Sequence, residues 1–257
     1  MGYGKMGKYI YCIIGARQDR GFGPIGIGAG DNEVATVGLG DLAVVASDTG
    51  QERYPVSREN LLSHQKVIER VMKEFSSVLP VRFCTIAPGN ENIRNLLERR
   101  QKEFKALLDR MEFKMELGVK AVWKDMDSVF REIAEGDREI ASLKQRALSG
   151  KGSTFQAKME LGRMVELALA KKRQAEADAI MSVLRGPTFD WRAGRTSGER
   201  MVLNASFLVD GAREREFDSL LEDLSEDRKE RMKFMYAGPL PPYNFVNVVI
   251  HPREWEA

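Results

Sequence analysis

The alternation of residues 112–123 is the sequence feature that most constrains the fold of this chain. Every odd-numbered position is apolar: Phe113, Met115, Leu117, Val119, Ala121 and Trp123. The even-numbered positions are charged residues, one glycine and one valine. Successive side chains of a β-strand point to opposite faces of its sheet, so the pattern predicts a strand buried on its odd-numbered side. Trp123 is therefore predicted to be a structural core residue.

Helical patterns follow this strand over about 126–148 and 154–185, and the Gly/Ser segment 149–153 predicts a turn between them. This arrangement is a long helical hairpin. The segment 186–199, rich in Gly, Thr and Ser, is predicted to be a loop. A strand, a helix and a final short strand complete this half of the chain.

The first part of the chain is predicted to contain three strands, a helix, a strand and a further helix. Because strands and helices are not strictly alternating, the sequence predicts an α+β fold of two domains. The N-terminal domain, 1–111, is expected to hold a mixed sheet with helices, and the C-terminal domain covers 112–238. A tail, 239–257, is expected to pack back on the N-terminal domain.

Four polar residues of the N-terminal domain are predicted to be structural. Ser57 is placed as the N-cap of a helix, and His64 falls on the apolar face of that helix. A histidine there is expected to be a core residue with a satisfied hydrogen bond. Arg82 lies in the strand pattern "VLPVRFCTI" and is expected to make a structural hydrogen bond to a helix end or a carboxylate. Asn90 is expected to cap the next helix.

The tail has no Asp, Glu, Lys or Arg between Phe234 and Pro252. Its prolines exclude a membrane-spanning helix, since each one inside a helix costs about 3 kcal/mol or more. Pro241 and Pro242 are predicted to fix an extended turn, followed by a strand over 245–250. An uncharged segment of this length is expected to be buried, although exposure of Leu240, Tyr243 and Phe245 as an anchor for a hydrophobic partner is the alternative.

Composition excludes several function classes. Forty basic and 38 acidic residues give a net charge of +2, which is not the charge distribution of a nucleic-acid-binding protein. Two histidines and two cysteines do not have the spacing of a metal site, and the cysteines are expected to be reduced. The apolar run near the N-terminus is not followed by a cleavage site and is interpreted as a strand, so the protein is expected to be cytoplasmic.

Two glycine-rich segments match the sequence motifs of nucleotide-binding sites but lack the predicted secondary structure that such sites require. "GFGPIG" at 21–26 is not followed by the helix that a dinucleotide site requires, and "SGKGST" at 149–154 follows a helix where a strand is required. No cofactor is expected. An assembly or binding protein is the favoured class, and an enzyme on the same scaffold is the alternative.

Four segments taken together carry a resemblance to a known family. They are "SRENLLSHQKVIERVM", "VLPVRFCTI", "VLNASFLVD" and "AGPLPPYNFV", in that order along nearly the whole chain. The combination resembles the gas vesicle protein F and L family. The resemblance implies an accessory or minor structural protein of gas vesicles that binds the hydrophobic shell protein and acts with other accessory proteins. It also implies a ferredoxin-like C-terminal domain.

One departure from the family pattern concerns Cys84. The family usually has glycine after "RF", and glycine readily adopts positive φ angles. Cysteine at this position therefore predicts that the backbone makes no strained turn there.

Overall fold

The computed structural model describes residues 6–28, 32–148 and 155–255. The chain divides into two compact units. The first unit consists of Met1–Glu116 together with Gly238–Ala257, and the second consists of Leu117–Ala237. The turn predicted at 149–153 and the segment "SGKGST" at 149–154 lie outside the described residues.

The first unit is built from five strands and three α-helices among its described residues. The strands are β1 (Gly7–Gly15), β2 (Gly21–Gly23), β3 (Val34–Leu39), β4 (Leu42–Thr49) and β5 (Val78–Ala87). The helices are α1 (Arg58–Met72), α2 (Asn90–Arg99) and α3 (Gln101–Met111), and a short 3-10 helix follows at Pro252–Trp255.

The sheet of the first unit has the strand order β2-β3-β4-β1-β5, and each of these pairings is antiparallel. The predicted mixed sheet is therefore wrong for these strands. The turn at Gly40 and Asp41 is too short for a parallel crossover, so β4 returns beside β3 in the opposite direction. The inner strand β1, between β4 and β5, is fully buried from Tyr9 to Ile14, because both of its faces are covered.

Helix α1 begins as predicted, with the Ser57 side chain accepting a hydrogen bond from the Asn60 backbone N–H. Its buried residues are His64, Val67, Ile68 and Val71, whereas Leu61 is exposed. The expected cap at Asn90 is wrong. Asn90 is the first residue of α2, and the N-cap is Gly89, which has no side chain to accept the bond.

The second unit contains a four-stranded sheet and four helices among its described residues. Its strands are β6 (Lys114–Trp123), β7 (Thr188–Ala193), β8 (Met201–Asp210) and β9 (Met232–Leu240). Its helices are α4 (Met126–Gly136), α5 (Arg138–Leu148), α6 (Phe155–Leu184) and α7 (Glu214–Asp227). The strand order is β7-β8-β6-β9.

Strand β6 follows the predicted alternation over most of its length. Leu117, Val119, Ala121 and Trp123 are fully buried. Two residues near its start differ from the prediction. Phe113 precedes the strand with φ of 55° and is 62% exposed. Glu116 was expected to be exposed but is buried at 3% exposure.

The helices and loops of this unit also differ from the sequence prediction in two places. The helix predicted over 126–148 is broken at Asp137, whose carboxylate accepts hydrogen bonds from the backbone N–H groups of Glu139 and Ile140 and so caps α5. Residues 186–199, predicted to be a loop, contain β7. Its β-prone residues pair antiparallel with β8, with Trp191 opposite Phe207.

Candidate functional site

A large bulge in edge strand β5 shapes the candidate site in the first unit. Ile10 of β1 pairs with Thr85, but Cys12, only two residues further along, pairs with Pro80. Residues 81–84 therefore lie outside the regular ladder. Bulges of this kind re-aim side chains and are common next to functional sites.

Cys84 holds the bulge in a left-handed backbone conformation. Its φ is 63°, so the expectation that cysteine makes a strained turn less favourable here is wrong. Two hydrogen bonds offset the strain. The Cys84 backbone N–H donates to the Tyr9 hydroxyl at 3.0 Å, and the thiol sulfur accepts from the Tyr54 backbone N–H at 3.2 Å. Cys12 and Cys84 are both free thiols.

The Tyr9 hydroxyl connects the bulge to His64. Its oxygen lies 3.1 Å from His64 Nδ1. This oxygen already accepts a hydrogen bond from the Cys84 backbone N–H. The hydroxyl proton is therefore assigned to a hydrogen bond that Tyr9 donates to His64 Nδ1. Nδ1 is then an acceptor, and the neutral ring carries its proton on Nε2. The predicted structural hydrogen bond of His64 therefore fits its place in the core.

His64 Nε2 is a buried donor without a hydrogen-bond partner among the described residues. The side chain is only 4% exposed. Burial lowers the pKa of His64 to about 4, and the nearby Val81 backbone opposes this effect only in part. The ring is thus neutral at pH 7, and one N–H group lacks a partner.

This ring forms part of the wall of a cleft of about 480 Å³. Apolar wall residues include Leu61 from α1, Phe83 from the bulge, and Val246 and Val248 from the tail. A volume of this size is within the range of ligand sites.

The formal charge among the residues that line the cleft is positive only. Arg82 lines it and is exposed, and none of the lining residues is an Asp or Glu. Gln65, also in the wall, donates its side-chain N–H to Glu69 at 2.6 Å. The structural hydrogen bond expected from the Arg82 side chain stays a prediction.

The tail reaches the cleft through a tight turn after its prolines. Pro241 and Pro242 are buried, and the backbone N–H of Val246 donates to the Pro242 carbonyl at 2.9 Å. The buried Glu116 carboxylate holds this turn, because it accepts from the Asn244 backbone N–H at 2.8 Å and from the Asn244 side chain at 2.5 Å.

Beyond the turn, the predicted strand over 245–250 is wrong. Only Val248 makes a bridge, a parallel one with Val81. The carbonyl of the next residue, Val249, accepts instead from the Arg100 guanidinium at 2.8 Å. Asn92 donates to the Trp255 carbonyl at 2.6 Å. Hydrogen bonds from side chains, rather than a strand ladder, therefore satisfy backbone carbonyl groups of this segment.

The three residues proposed from the sequence as a partner anchor have different environments. Leu240 is half-buried and Phe245 is 9% exposed. Tyr243 lines the cleft and is 38% exposed. Partial burial raises the pKa of the Tyr243 hydroxyl.

Trp123 belongs to the second unit and is fully buried. Its indole N–H donates to Glu176 at 2.6 Å. Arg231 binds the same carboxylate and also Glu132, with side-chain distances of 2.6 Å and 2.5 Å. These bonds lower the pKa of Glu132 to about 2, with Arg231 as the main cause. The network gives the polar end of Trp123 a satisfied partner.

Two further observations apply to residues 6–28, 32–148 and 155–255. No group of three or more His, Cys, Asp or Glu side chains there is arranged to hold a metal ion. No helix in these ranges is long and apolar enough to cross a membrane.

Comparison with known proteins gives consistent matches over nearly the whole chain. The sequence profile described as gas vesicle synthesis protein GvpL/GvpF matches residues 7–247. Gas vesicle protein F of a Streptomyces species is 30% identical over 94% of this chain and 100% of that protein. The crystal structure of GvpF from Anabaena superposes with a TM-score of 0.81 at 23% identity, covering 96% of this chain and 98% of that one. GvpF from Microcystis aeruginosa gives a TM-score of 0.80 at 22% identity, over 94% of this chain and 99% of that one.

Proposed function

This chain belongs to the gas vesicle synthesis protein GvpL/GvpF family, and on that basis we propose that it is an accessory or minor structural protein that binds the hydrophobic gas vesicle shell protein. The observation that carries this proposal is the family match over residues 7–247. Other gas vesicle accessory proteins are further partners in the proposal, and the cytoplasm is the compartment in which it acts.

Apolar side chains on the surface support a role in binding an apolar subunit. Phe155, Met159 and Leu167 on α6 are 79%, 62% and 57% exposed, and Phe189 on β7 is 59% exposed. Exposed apolar groups are usual where a protein binds another protein. Leu240, Tyr243 and Phe245 are the proposed contact in the tail, where Tyr243 reaches the surface and the buried Phe245 holds the turn.

One observation favours the alternative, an enzyme on the same scaffold: His64 has a lowered pKa and lines a cleft. With a pKa of about 4, this ring is neutral at pH 7 and is too weak a base for efficient proton abstraction. The lining residues supply neither an acidic partner nor a Cys or Ser nucleophile. The arrangement fits a structural core histidine better than a catalytic base.

The architecture that goes with this proposal has three parts. We propose an N-terminal α+β domain over 1–111, a ferredoxin-like domain over 112–238, and a tail over 239–257 that packs on the first. The order β7-β8-β6-β9, with helices between β6 and β7 and between β8 and β9, supports the ferredoxin-like assignment. The hydrogen bond from Arg100 to the Val249 carbonyl and the bridge between Val81 and Val248 support the third part.

Co-purification tests the proposed function. The tagged chain is expressed together with a gas vesicle shell protein, and the eluate is examined for the shell protein at moderate salt. A Leu240→Ser, Tyr243→Ser double variant is the binding variant, and Val56→Ser, at a side chain that is 77% exposed, is the control. Capture that survives Val56→Ser and is lost in the double variant is expected. Failure of the parent chain to retain any shell protein contradicts the proposal.

A further inference from the structure

A groove of about 840 Å³ lies between α5 and the first turns of α6 in the second unit. Its apolar wall residues are Leu143 from α5 and Phe155, Ala157 and Met159 from α6. Phe155 is 79% exposed and Met159 is 62% exposed. Neighbouring exposed apolar side chains that line one groove mark an interaction surface, whereas single scattered ones do not.

The charge of this groove is positive. Arg146 and Arg163 line it, and Lys158 is exposed next to Met159. Glu160 is the only acidic residue among the described wall residues, and Arg163 pairs with it at 2.8 Å. Arg146 and Lys158 therefore give the groove its net charge. We call the surface formed by the following residues the basic groove: Arg146, Phe155, Lys158 and Met159.

Helix α7 presents the opposite charge to solvent. Seven of the 14 residues of Glu214–Asp227 are acidic and one is basic. The residues that α7 buries are Phe217, Leu221 and Leu224. Three acidic residues on its other side are exposed and belong to no ion pair within the part of the chain that the structure describes. We call these three residues the acidic face: Glu222, Asp223 and Asp227.

Aromatic surface lies beside the acidic face. The Tyr236 ring is 43% exposed and stacks on the buried Phe217 ring of α7, with centroids 6.4 Å apart. Its hydroxyl donates to Asp218 at 2.7 Å, one helical turn before Glu222. A partner that meets this side of α7 therefore contacts both carboxylates and an aromatic ring, which complement the cationic and apolar side chains of the basic groove.

The basic groove cannot reach the acidic face of its own chain. Arg231, which follows α7, binds Glu176 at 2.6 Å, and Val209, which precedes α7, pairs with Thr188 just after α6. Helix α7 therefore lies beside the second half of α6. Met159 precedes Glu176 by about 26 Å along this continuous helix, at 1.5 Å per residue. An ion pair needs its charged atoms within about 4 Å, so the acidic face must come from another molecule.

We propose that the basic groove of one copy of this chain binds the acidic face of α7 in a second copy. Phe155 and Met159 pack on Tyr236 of that copy, and the cations of the groove approach its carboxylates. The net charge of the chain is only +2, so overall repulsion between two copies is small. Because the two surfaces differ, the contact is heterologous and joins copies head to tail.

This association goes beyond the proposed binding of the shell protein, because it gives the basic groove an occupant of its own. The test contains no other gas vesicle protein, so the two proposals can fail separately.

Sedimentation equilibrium of the full-length chain over a range of concentrations tests the contact. We expect the average mass to rise with concentration at low ionic strength. It should return to that of the monomer at high ionic strength, because salt screens the attraction between exposed charges. A parent chain that stays monomeric at low ionic strength would overturn the proposal, and the groove would then belong to a different partner.

Charge reversal on each surface identifies the two halves of the contact. Arg146→Glu with Lys158→Glu changes the basic groove, and Glu222→Lys with Asp223→Lys changes the acidic face. Either double variant alone should associate about tenfold more weakly than the parent or worse, because like charges then meet. An equimolar mixture of the two should associate again, because each reversed surface meets the opposite charge on the other variant.

The matched control is Arg53→Glu with Lys102→Glu, which reverses the same number of charges at exposed side chains of the first unit. It should associate as the parent does, and thermal melting should show that every variant is folded. A loss in the control equal to that in the groove variant, or a mixture that stays monomeric, would overturn the proposal. Association that survives Glu222→Lys with Asp223→Lys would exclude the acidic face of α7 and overturn it as well.

Discussion

His64 shows how one residue links the core to a surface cleft. Tyr9 fixes its tautomer, and burial keeps the ring neutral. The periodicity of α1 was sufficient to predict that His64 is buried. The unpaired Nε2 and the cleft were not predictable, because they depend on the β5 bulge and on the tail, both distant in sequence.

The lowered pKa of His64 predicts a specific pH dependence of stability. The unfolded ring has a pKa near 6.5 and the folded ring one of about 4, so the unfolded state binds more protons between these values. Stability should therefore fall as the pH decreases from about 6.5 to about 4, by up to about 3 kcal/mol from this residue.

Urea unfolding at a series of pH values measures this contribution. His64→Gln should have a shallower pH dependence over that range, and His251→Gln, at an exposed histidine, should keep the parent profile. A His64→Gln profile parallel to that of the parent would show that the ring titrates normally in the folded protein.

Cys84 has two opposing effects on stability. Its left-handed backbone conformation is strained, whereas its sulfur accepts a hydrogen bond from the Tyr54 backbone N–H. Cys84→Gly should relieve strain of about 1 kcal/mol but lose the acceptor for Tyr54. Cys84→Ala loses the acceptor and keeps the strain, so it should be the less stable variant by about the same amount. Thermal melting of the two proteins gives the comparison, and an alanine variant as stable as the glycine variant would contradict the assigned strain.

At the scale of elements, sequence periodicity was most reliable where one face of a strand packs on a continuous core. The pattern of β6 holds from Leu117 to Trp123 but fails at Phe113 and Glu116. The failure at Glu116 has a physical cause, since the carboxylate is buried by hydrogen bonds to Asn244, which lies far away in sequence. Strand β7 was missed because its turn-forming neighbours outweighed the β-prone Phe189 and Trp191.

Trp123→Asp should unfold or strongly destabilise the second unit, because it places a charge in an apolar core and removes the bond to Glu176. Leu167→Asp introduces the same charge at a side chain that is 57% exposed and is the matched control. Circular dichroism during heating should show a large loss of stability for the first variant alone. An unchanged melting temperature for Trp123→Asp would contradict the register of β6.

At the scale of the whole molecule, the tail is expected to stabilise the first unit. Truncation after Gly238 removes the partner of the buried Glu116 and the bridge from Val248 to Val81. A buried carboxylate without its donors is costly, so the shortened chain should melt earlier or aggregate. A truncated chain that stays folded and monomeric, yet no longer captures the shell protein, would identify the tail as a binding element only.

The central claim is that this chain is needed for gas vesicle assembly. A host that carries the remaining gas vesicle genes is compared with and without this chain, and pressure-sensitive light scattering measures intact vesicles. The account predicts that vesicles are absent without the chain and return when it is supplied, but not when the Leu240→Ser, Tyr243→Ser variant is supplied at equal abundance. Normal vesicles in the host that lacks the chain would contradict it.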